Sequence, residues 1–189
     1  MTIHPWQATF MQTIQQRESG HTLQQAARSG ELSQWTKALT QAIVTACQEM
    51  GWQASAKGHP LELLPVDTNE FLAMDVTAFA DSARRWHLPI AVMELENQPA
   101  RVPYSLWKVL CVRSQLRVVF GYSQTSAERV SVINTLKNEV VRAIEPSQRM
   151  QIEGSTLVAV GSRDDAERFP YGYFKWWHLE NNTGTFSVI

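Results

Sequence analysis

The segment IAVMELEN, residues 90–97, limits the folds open to this chain more than any other stretch. Its apolar residues are typical of a buried β-strand, yet it carries two carboxylates, Glu94 and Glu96. Side chains alternate between the two faces of a strand, so both acids lie on the same face as the apolar Val92. A sheet that buries this face has to provide partners for both acids, because a buried carboxylate without a partner is costly.

Helical and strand-like patterns alternate around this segment. Helices are predicted from Ser33 to Gly51, from Pro103 to about Ser114, and from the capping box at Thr125 to Pro146. Strands are predicted at residues 71–79, 89–97, 116–123 and 155–162, with a weak strand and turn at 52–61 and a closing hairpin at 172–189. This order predicts an α/β fold with a mixed central sheet, flanking helices and a C-terminal β-hairpin.

A third carboxylate, Asp75, stands in the middle of the strand predicted at residues 71–79. If that strand pairs with the strand of Glu94 and Glu96, three acids converge, and they would repel one another without a cation. Mg²⁺ or Mn²⁺ is expected there, because these ions take carboxylate, carbonyl and water oxygens as ligands. Asp67 is the less favoured choice, since it precedes the apolar run in what reads as a turn.

A purely structural interpretation of the same acids stays open. In that interpretation Glu94 and Glu96 lie on the solvent face of an edge strand, and Asp75 pairs with Arg84 or Arg85.

Charge is unevenly distributed along the chain. The net charge of −1 excludes a protein that coats nucleic acid through its overall charge. However, no acid occurs between Asn97 and Ala127, a stretch that contains four basic residues, Arg101, Lys108, Arg113 and Arg117. We expect the three arginines to contact phosphate groups, with chance clustering on a solvated face as the alternative.

The remaining composition indicates one globular domain spanning residues 1–189. Cys47 and Cys111 lie in helical patterns and form no CxxC pair, so buried thiols are expected rather than a disulfide or a zinc site. The chain has neither a signal-peptide pattern nor a run of roughly 18 apolar residues, which predicts a cytoplasmic protein without a membrane partner.

Asp75, the ELE sequence at 94–96, the following helix and the strand RVVFGY at 117–122 together resemble the core of the PD-(D/E)xK nuclease superfamily. The resemblance implies a restriction-endonuclease-like αβββαβ core over residues 31–123. Residues 1–30 would then be a helical extension, and residues 124–189 an elaboration made of a helix, a strand and the hairpin.

The same resemblance implies divalent-metal-dependent hydrolysis of phosphodiester bonds, with DNA as the expected nucleic acid. Asp75 and Glu94 match the metal-binding acids, and the carbonyl of Leu95 would be a further ligand. Glu96 stands where the superfamily normally has lysine, so the motif is a Glu-x-Glu variant. Either Glu96 or Lys108, which lies on the following helix, would orient or deprotonate the attacking water.

Two other functions remain open. The departure at Glu96 also fits a catalytically inactive nuclease-fold protein that acts as a binding or scaffold module. The aromatic segment YGYFKWWHLE at 171–180 also fits an oligomeric module, such as a homodimer, whose interface is the C-terminal hairpin.

Overall fold

The computed structural model describes residues 4–62, 70–80 and 86–189, and its centre is a seven-stranded mixed sheet. The strands lie in chain order: β1 (Trp52–Ala56), β2 (Val76–Ala80), β3 (Ala91–Glu96), β4 (Leu116–Ser123), β5 (Ser155–Ser162), β6 (Phe174–Glu180) and β7 (Thr185–Val188). Strands β3, β4 and β5 run parallel to one another, and every other neighbouring pair is antiparallel. The predicted α/β class with a mixed sheet is confirmed.

Helices cover both faces of the sheet. They are α1 (Pro5–Thr13), α2 (Arg17–Ser29), α3 (Leu32–Glu49), α4 (Val102–Leu110), α5 (Ser126–Thr135) and α6 (Pro146–Arg149). Helices α1 to α3 pack on one face, whereas α4 and α5 pack on the other. From α3 to β4 the elements follow the predicted order of one helix, three strands, one helix and one strand.

The central strands are apolar on both faces because each face is covered. In β4, Val118 and Phe120 face α1 to α3, whereas Val119 faces α4 and α5. Helix α1 is anchored by Phe10, whose ring centroid is 5.2 Å from that of Phe120. Burying a side chain of this size stabilises the fold by about 1.5–3 kcal/mol, so this face holds α1 firmly.

Strand ends were harder to predict than strand interiors. The bounds of β4 and β5 agree with the apolar runs, and the C-terminal hairpin is confirmed. The strand predicted at residues 71–79 is wrong at its start, because Phe71–Ala73 form a 3₁₀ turn and β2 begins at Val76. Its partner β1 ends opposite Val76, at Ala56, so Asp75 immediately precedes the strand rather than lying within it.

Several helix ends also differ from their predictions. Glu31, not Ser33, occupies the N-cap of α3, and α4 ends at Leu110 rather than near Ser114. Thr125 does cap α5, since its side chain accepts a hydrogen bond from the Glu128 N–H at 3.1 Å. A π-helical segment at Leu136–Val140 and a 3₁₀ turn at Val141–Ala143 follow α5.

The two cysteines have different environments. Cys47 is buried as predicted, whereas the prediction for Cys111 is wrong, because this residue follows α4 on its exposed side. Within the described ranges, no helix combines the length and the apolar character that crossing a bilayer requires.

Candidate active site

Asp75, Glu94 and Lys108 come from three different parts of the chain and meet on the side of the sheet that α4 covers. Glu94 lies in β3, Lys108 lies in the last turn of α4, and Asp75 immediately precedes β2. Strands β2 and β3 pair with Val76 opposite Met93. Continued by one residue, this register places Asp75 opposite Glu94, so strand pairing itself brings the two predicted acids together.

Each of the two carboxylates accepts a hydrogen bond from a backbone N–H of the other segment. The Leu95 N–H donates to Asp75 Oδ2 at 2.7 Å, and the Asp75 N–H donates to Glu94 Oε1 at 3.3 Å. The Asp75 nitrogen lies 3.3 Å from Glu94 Oε1, and the carboxyl carbon of Asp75 is three covalent bonds from that nitrogen. The two spans together place this carbon within about 7 Å of Glu94 Oε1. That upper limit is compatible with one ion shared by both groups, since its ligand distances would be about 2.0–2.6 Å.

Lys108 supplies the positive charge of the site. Its Nζ lies 2.8 Å from Glu94 Oε1 and also donates a hydrogen bond to the Ala73 carbonyl. This carbonyl belongs to an unusual turn, in which Leu72 and Ala73 adopt left-handed φ angles of 60° and 54°. Such conformations cost about 1–3 kcal/mol for a residue other than glycine and often occur at functional sites. No sequence pattern indicated this turn.

Both carboxyl groups hold a proton more tightly than they would in water. Burial raises the pKa of Asp75, the Leu95 N–H and Lys108 partly offset the rise, and the charges of Glu70 and Glu96 add to it. Burial also raises the pKa of Glu94, with Lys108 opposing the rise and the Asp75 charge increasing it. A bound cation would favour the ionised form of both groups, so the electrostatics fit a cation site.

Glu96 lies at the rim of the site. Its Oε1 accepts a hydrogen bond from the Gln98 N–H at 2.9 Å, and its Oε2 lies 3.4 Å from Nε of Arg101. Arg101 belongs to the 3₁₀ turn Pro99–Arg101, which leads directly into α4. Both acids of β3 therefore interact with residues on the α4 side, as the alternation predicted.

The donors for a divalent ion are fewer than the sequence suggested. Within residues 4–62, 70–80 and 86–189, no three His, Cys, Asp or Glu side chains form a group that could hold a metal ion. The expected convergence of three carboxylates is therefore not found there.

Two carboxylates and a carbonyl remain as donors for the ion. The N–H and C=O of one strand residue point to the same side, so the Leu95 carbonyl faces the side on which Asp75 lies. Together with Glu94, this set fits Mg²⁺, which proteins commonly hold by one or two carboxylates with water and phosphate oxygens. The same oxygens suit Mn²⁺.

The arginines expected to bind phosphate fall into two groups. Arg101 and Arg113 are exposed, and Arg113 only approaches Glu153 at 3.8 Å. The prediction for Arg117 is wrong, because its side chain is buried and its guanidinium donates to the carbonyls of Val109, Val112 and Glu153. Arg117 therefore ties the end of α4 to the start of β5 and does not reach solvent.

The aromatic hairpin is part of the core rather than a surface. Tyr173, Phe174, Trp176 and Trp177 are all buried, and among the aromatic residues at 171–177 only Tyr171 is exposed. The hypothesis of a hairpin interface therefore loses the aromatic surface that motivated it.

Exposed rings instead lie on α4. Tyr104 and Trp107 both face solvent there. Their spacing of three residues was a sequence signal for a shared helix face, but not for its exposure.

The remaining alternatives for this site involve Asp67, Arg84 and Arg85, which lie outside the described residues. Comparison of the chain with protein-family models, with curated proteins and with solved structures gave no match.

Proposed function

We propose that this protein is a divalent-metal-dependent nuclease with a restriction-endonuclease-like core, and that it hydrolyses phosphodiester bonds, with DNA as the expected substrate. One observation carries the proposal: the Asp75 N–H and Lys108 Nζ both reach Glu94 Oε1, while the Asp75 carboxylate accepts a hydrogen bond from the next residue of β3, Leu95. The element order from α3 to β4 supports the same proposal, because it is the order implied by the resemblance to the PD-(D/E)xK superfamily.

Asp75, Glu94 and the Leu95 carbonyl would hold Mg²⁺ or Mn²⁺. When bound, such an ion lowers the pKa of a water ligand and neutralises charge on the phosphate. The raised pKa values of both carboxyl groups support this assignment, since these buried acids gain most from a nearby cation.

Lys108 takes the role of the lysine that is missing from the motif. Its ammonium group contacts Glu94, so it stands beside the metal-binding acids although it comes from α4. Two of its three N–H bonds are directed to Glu94 and the Ala73 carbonyl, and the third orients the attacking water. Glu96, at the rim, accepts the proton that the water loses.

In the hydrolysis, a bond forms between the water oxygen and phosphorus while the bond from phosphorus to one sugar oxygen breaks. The departing oxygen takes a proton from solvent. Arg101 and Arg113, both exposed, hold the flanking phosphates, and such contacts set the position of the strand rather than sequence preference.

A second proposal is an inactive nuclease-fold protein that binds nucleic acid without cutting it. The ion pair between Lys108 and Glu94 favours it, because this pair neutralises part of the site without a metal ion. The two proposals differ in one property, which is metal-dependent cleavage.

The test is cleavage of plasmid, linear duplex and circular single-stranded DNA with Mg²⁺, Mn²⁺ or EDTA. Asp75→Asn, Glu94→Gln and Lys108→Met should each lower the rate by about 100-fold or more, since each removes a ligand or a positioned donor. Glu153→Gln, which neutralises an exposed acid near Arg113, is the matched control and should cut normally. Cleavage that persists in Glu94→Gln would refute the assigned site, whereas no cleavage by the unmodified protein would refute the nuclease and leave the binding protein.

A further inference from the structure

Helix α4 carries a stacked pair of exposed aromatic rings next to Lys108. Tyr104 and Trp107 are 60% and 51% exposed. Their ring centroids are 5.9 Å apart with an angle of 26° between the planes. Tyr104 precedes Lys108 by four residues, so the two side chains are neighbours on the helix surface. Open aromatic faces therefore lie beside the candidate active site.

The fold does not require these rings to be aromatic. Helix α4 attaches to the sheet through the opposite side, where Val102, Leu106 and Val109 are fully buried. Neither ring belongs to either buried core cluster. Two large rings that stack on each other and remain exposed are typical of a contact surface.

The charge around the pair indicates what it contacts. The side chains of Arg101 and Arg113, which flank α4, are 63% and 81% exposed, and each lies more than 3 Å from the one acid it approaches, Glu96 at 3.4 Å and Glu153 at 3.8 Å. Aromatic rings flanked by cations are the combination with which proteins bind single strands, because cations follow the phosphates and rings stack on bases.

We propose that Tyr104 and Trp107 form a base-stacking platform that directs the candidate active site to unpaired nucleic acid. Inside a duplex both faces of a base are stacked on its neighbours, so away from duplex ends the rings of α4 need an unpaired base to stack on. The cleavage of such strands rests on the proposed nuclease function. The binding rests on the α4 surface alone.

Binding is measured by fluorescence anisotropy in EDTA, with labelled oligothymidine and a blunt duplex of equal length. The single strand should bind about tenfold more tightly, and Tyr104→Ala and Trp107→Ala should each lower its affinity about tenfold while leaving duplex affinity unchanged. Tyr104→Phe and Trp107→Phe keep an aromatic face and should stay within about threefold of the unmodified protein. Tyr171→Ala, which removes a still more exposed ring before β6, is the control and should have no effect.

Three results would overturn the platform. The alanine variants could bind the single strand as the unmodified protein does, or they could lose single-strand and duplex affinity equally. Alternatively, size-exclusion chromatography could show that an oligomer becomes a monomer in Trp107→Ala, which would make the pair an interface with a second copy. Normal thermal unfolding of the alanine variants separates each of these results from misfolding.

Cleavage of a gapped duplex with Mn²⁺ then separates the platform from the nuclease function. Cuts should concentrate in the unpaired gap, and Trp107→Ala should reduce them there about tenfold. Cuts spread evenly over the paired arms would overturn the platform but leave the nuclease. If nothing is cut, the nuclease fails, while the anisotropy in EDTA still decides whether the platform exists.

Discussion

Ala73 shows how strongly the candidate site depends on the conformation of single residues. Its carbonyl accepts a hydrogen bond from Lys108 because Leu72 and Ala73 both adopt left-handed backbone angles. The alternation of β3 predicted that Glu94 and Glu96 share a face, and an acid in an apolar run identified Asp75. No comparable pattern exists for Ala73, since alanine has no preference for that conformation.

Replacing Ala73 with glycine should therefore raise the free energy of unfolding by up to about 1 kcal/mol, because glycine adopts a positive φ without strain. Urea denaturation at neutral pH measures the change. Ala8→Gly is the control, because Ala8 is an exposed residue inside α1, where glycine should cost about 1 kcal/mol. Equal destabilisation by both substitutions would contradict the strain at Ala73.

Arg117 shows the opposite case, in which the sequence did contain the signal. Arg117 and Val119 are two residues apart in an apolar strand, so they share a face, and Val118 lies on the other. Strand geometry therefore already placed Arg117 on a covered face. Its positive charge suggested phosphate binding instead. The free carbonyls at the end of α4, which its guanidinium satisfies, could not be predicted because they exist only once α4 stops at Leu110.

At the scale of elements, the interior of each strand was easier to predict than its ends. The apolar runs of β4 and β5 follow from burial on both faces, which is a property of each segment. The start of β2 depends instead on where its partner β1 ends, which is a property of the pair. The same dependence moved Asp75 to the position before β2, where its carboxylate accepts a hydrogen bond from Leu95.

Helix α5 is fixed by a buried ion pair that no motif indicated. Asp165 bonds to Arg129 and Ser126 of this helix and to Arg168. Burial by itself raises the pKa of Asp165, but these hydrogen bonds and positive charges outweigh it and hold the pKa below its ordinary value. An acid with a lowered pKa stabilises the fold above the ordinary pKa near 4, and this stabilisation is lost as the pH falls below it.

Asp165→Asn should consequently lower the free energy of unfolding by about 3–5 kcal/mol at pH 7, because Arg129 would remain buried without its counter-charge. The difference from the unmodified protein should shrink as the pH falls below about 4. Urea denaturation from pH 7 to pH 3 tests both points. Glu167→Gln, at an exposed pair with Arg28, should change little, and a pH-independent loss in Asp165→Asn would contradict the assignment.

At the scale of the whole molecule, the positive surface that the described residues form beside the site is small. The net charge is −1, and among residues 4–62, 70–80 and 86–189 the exposed cations near the site are Arg101 and Arg113, with Lys108 partly covered. The number of phosphates that this surface can neutralise is therefore about two or three, far fewer than in proteins that bind nucleic acid mainly through charge.

Affinity for single-stranded DNA should depend only weakly on salt. Two or three phosphate contacts predict a slope between about −1.4 and −2.1 in a plot of log K against log salt concentration. Arg113→Ala should reduce the slope by about 0.7. Arg117→Met should leave the slope unchanged and lower stability instead, because this side chain is buried. A slope unaffected by Arg113→Ala would remove this arginine from the interface.

The most direct test of a divalent-ion site built from Asp75 and Glu94 is isothermal titration calorimetry with Mn²⁺. The unmodified protein should bind the ion, and Asp75→Asn and Glu94→Gln should each abolish the binding, because two carboxylates and one carbonyl leave no substitute ligand among the described residues. Glu153→Gln should bind like the unmodified protein. Absence of binding, or binding that is unchanged in both variants, would contradict the site.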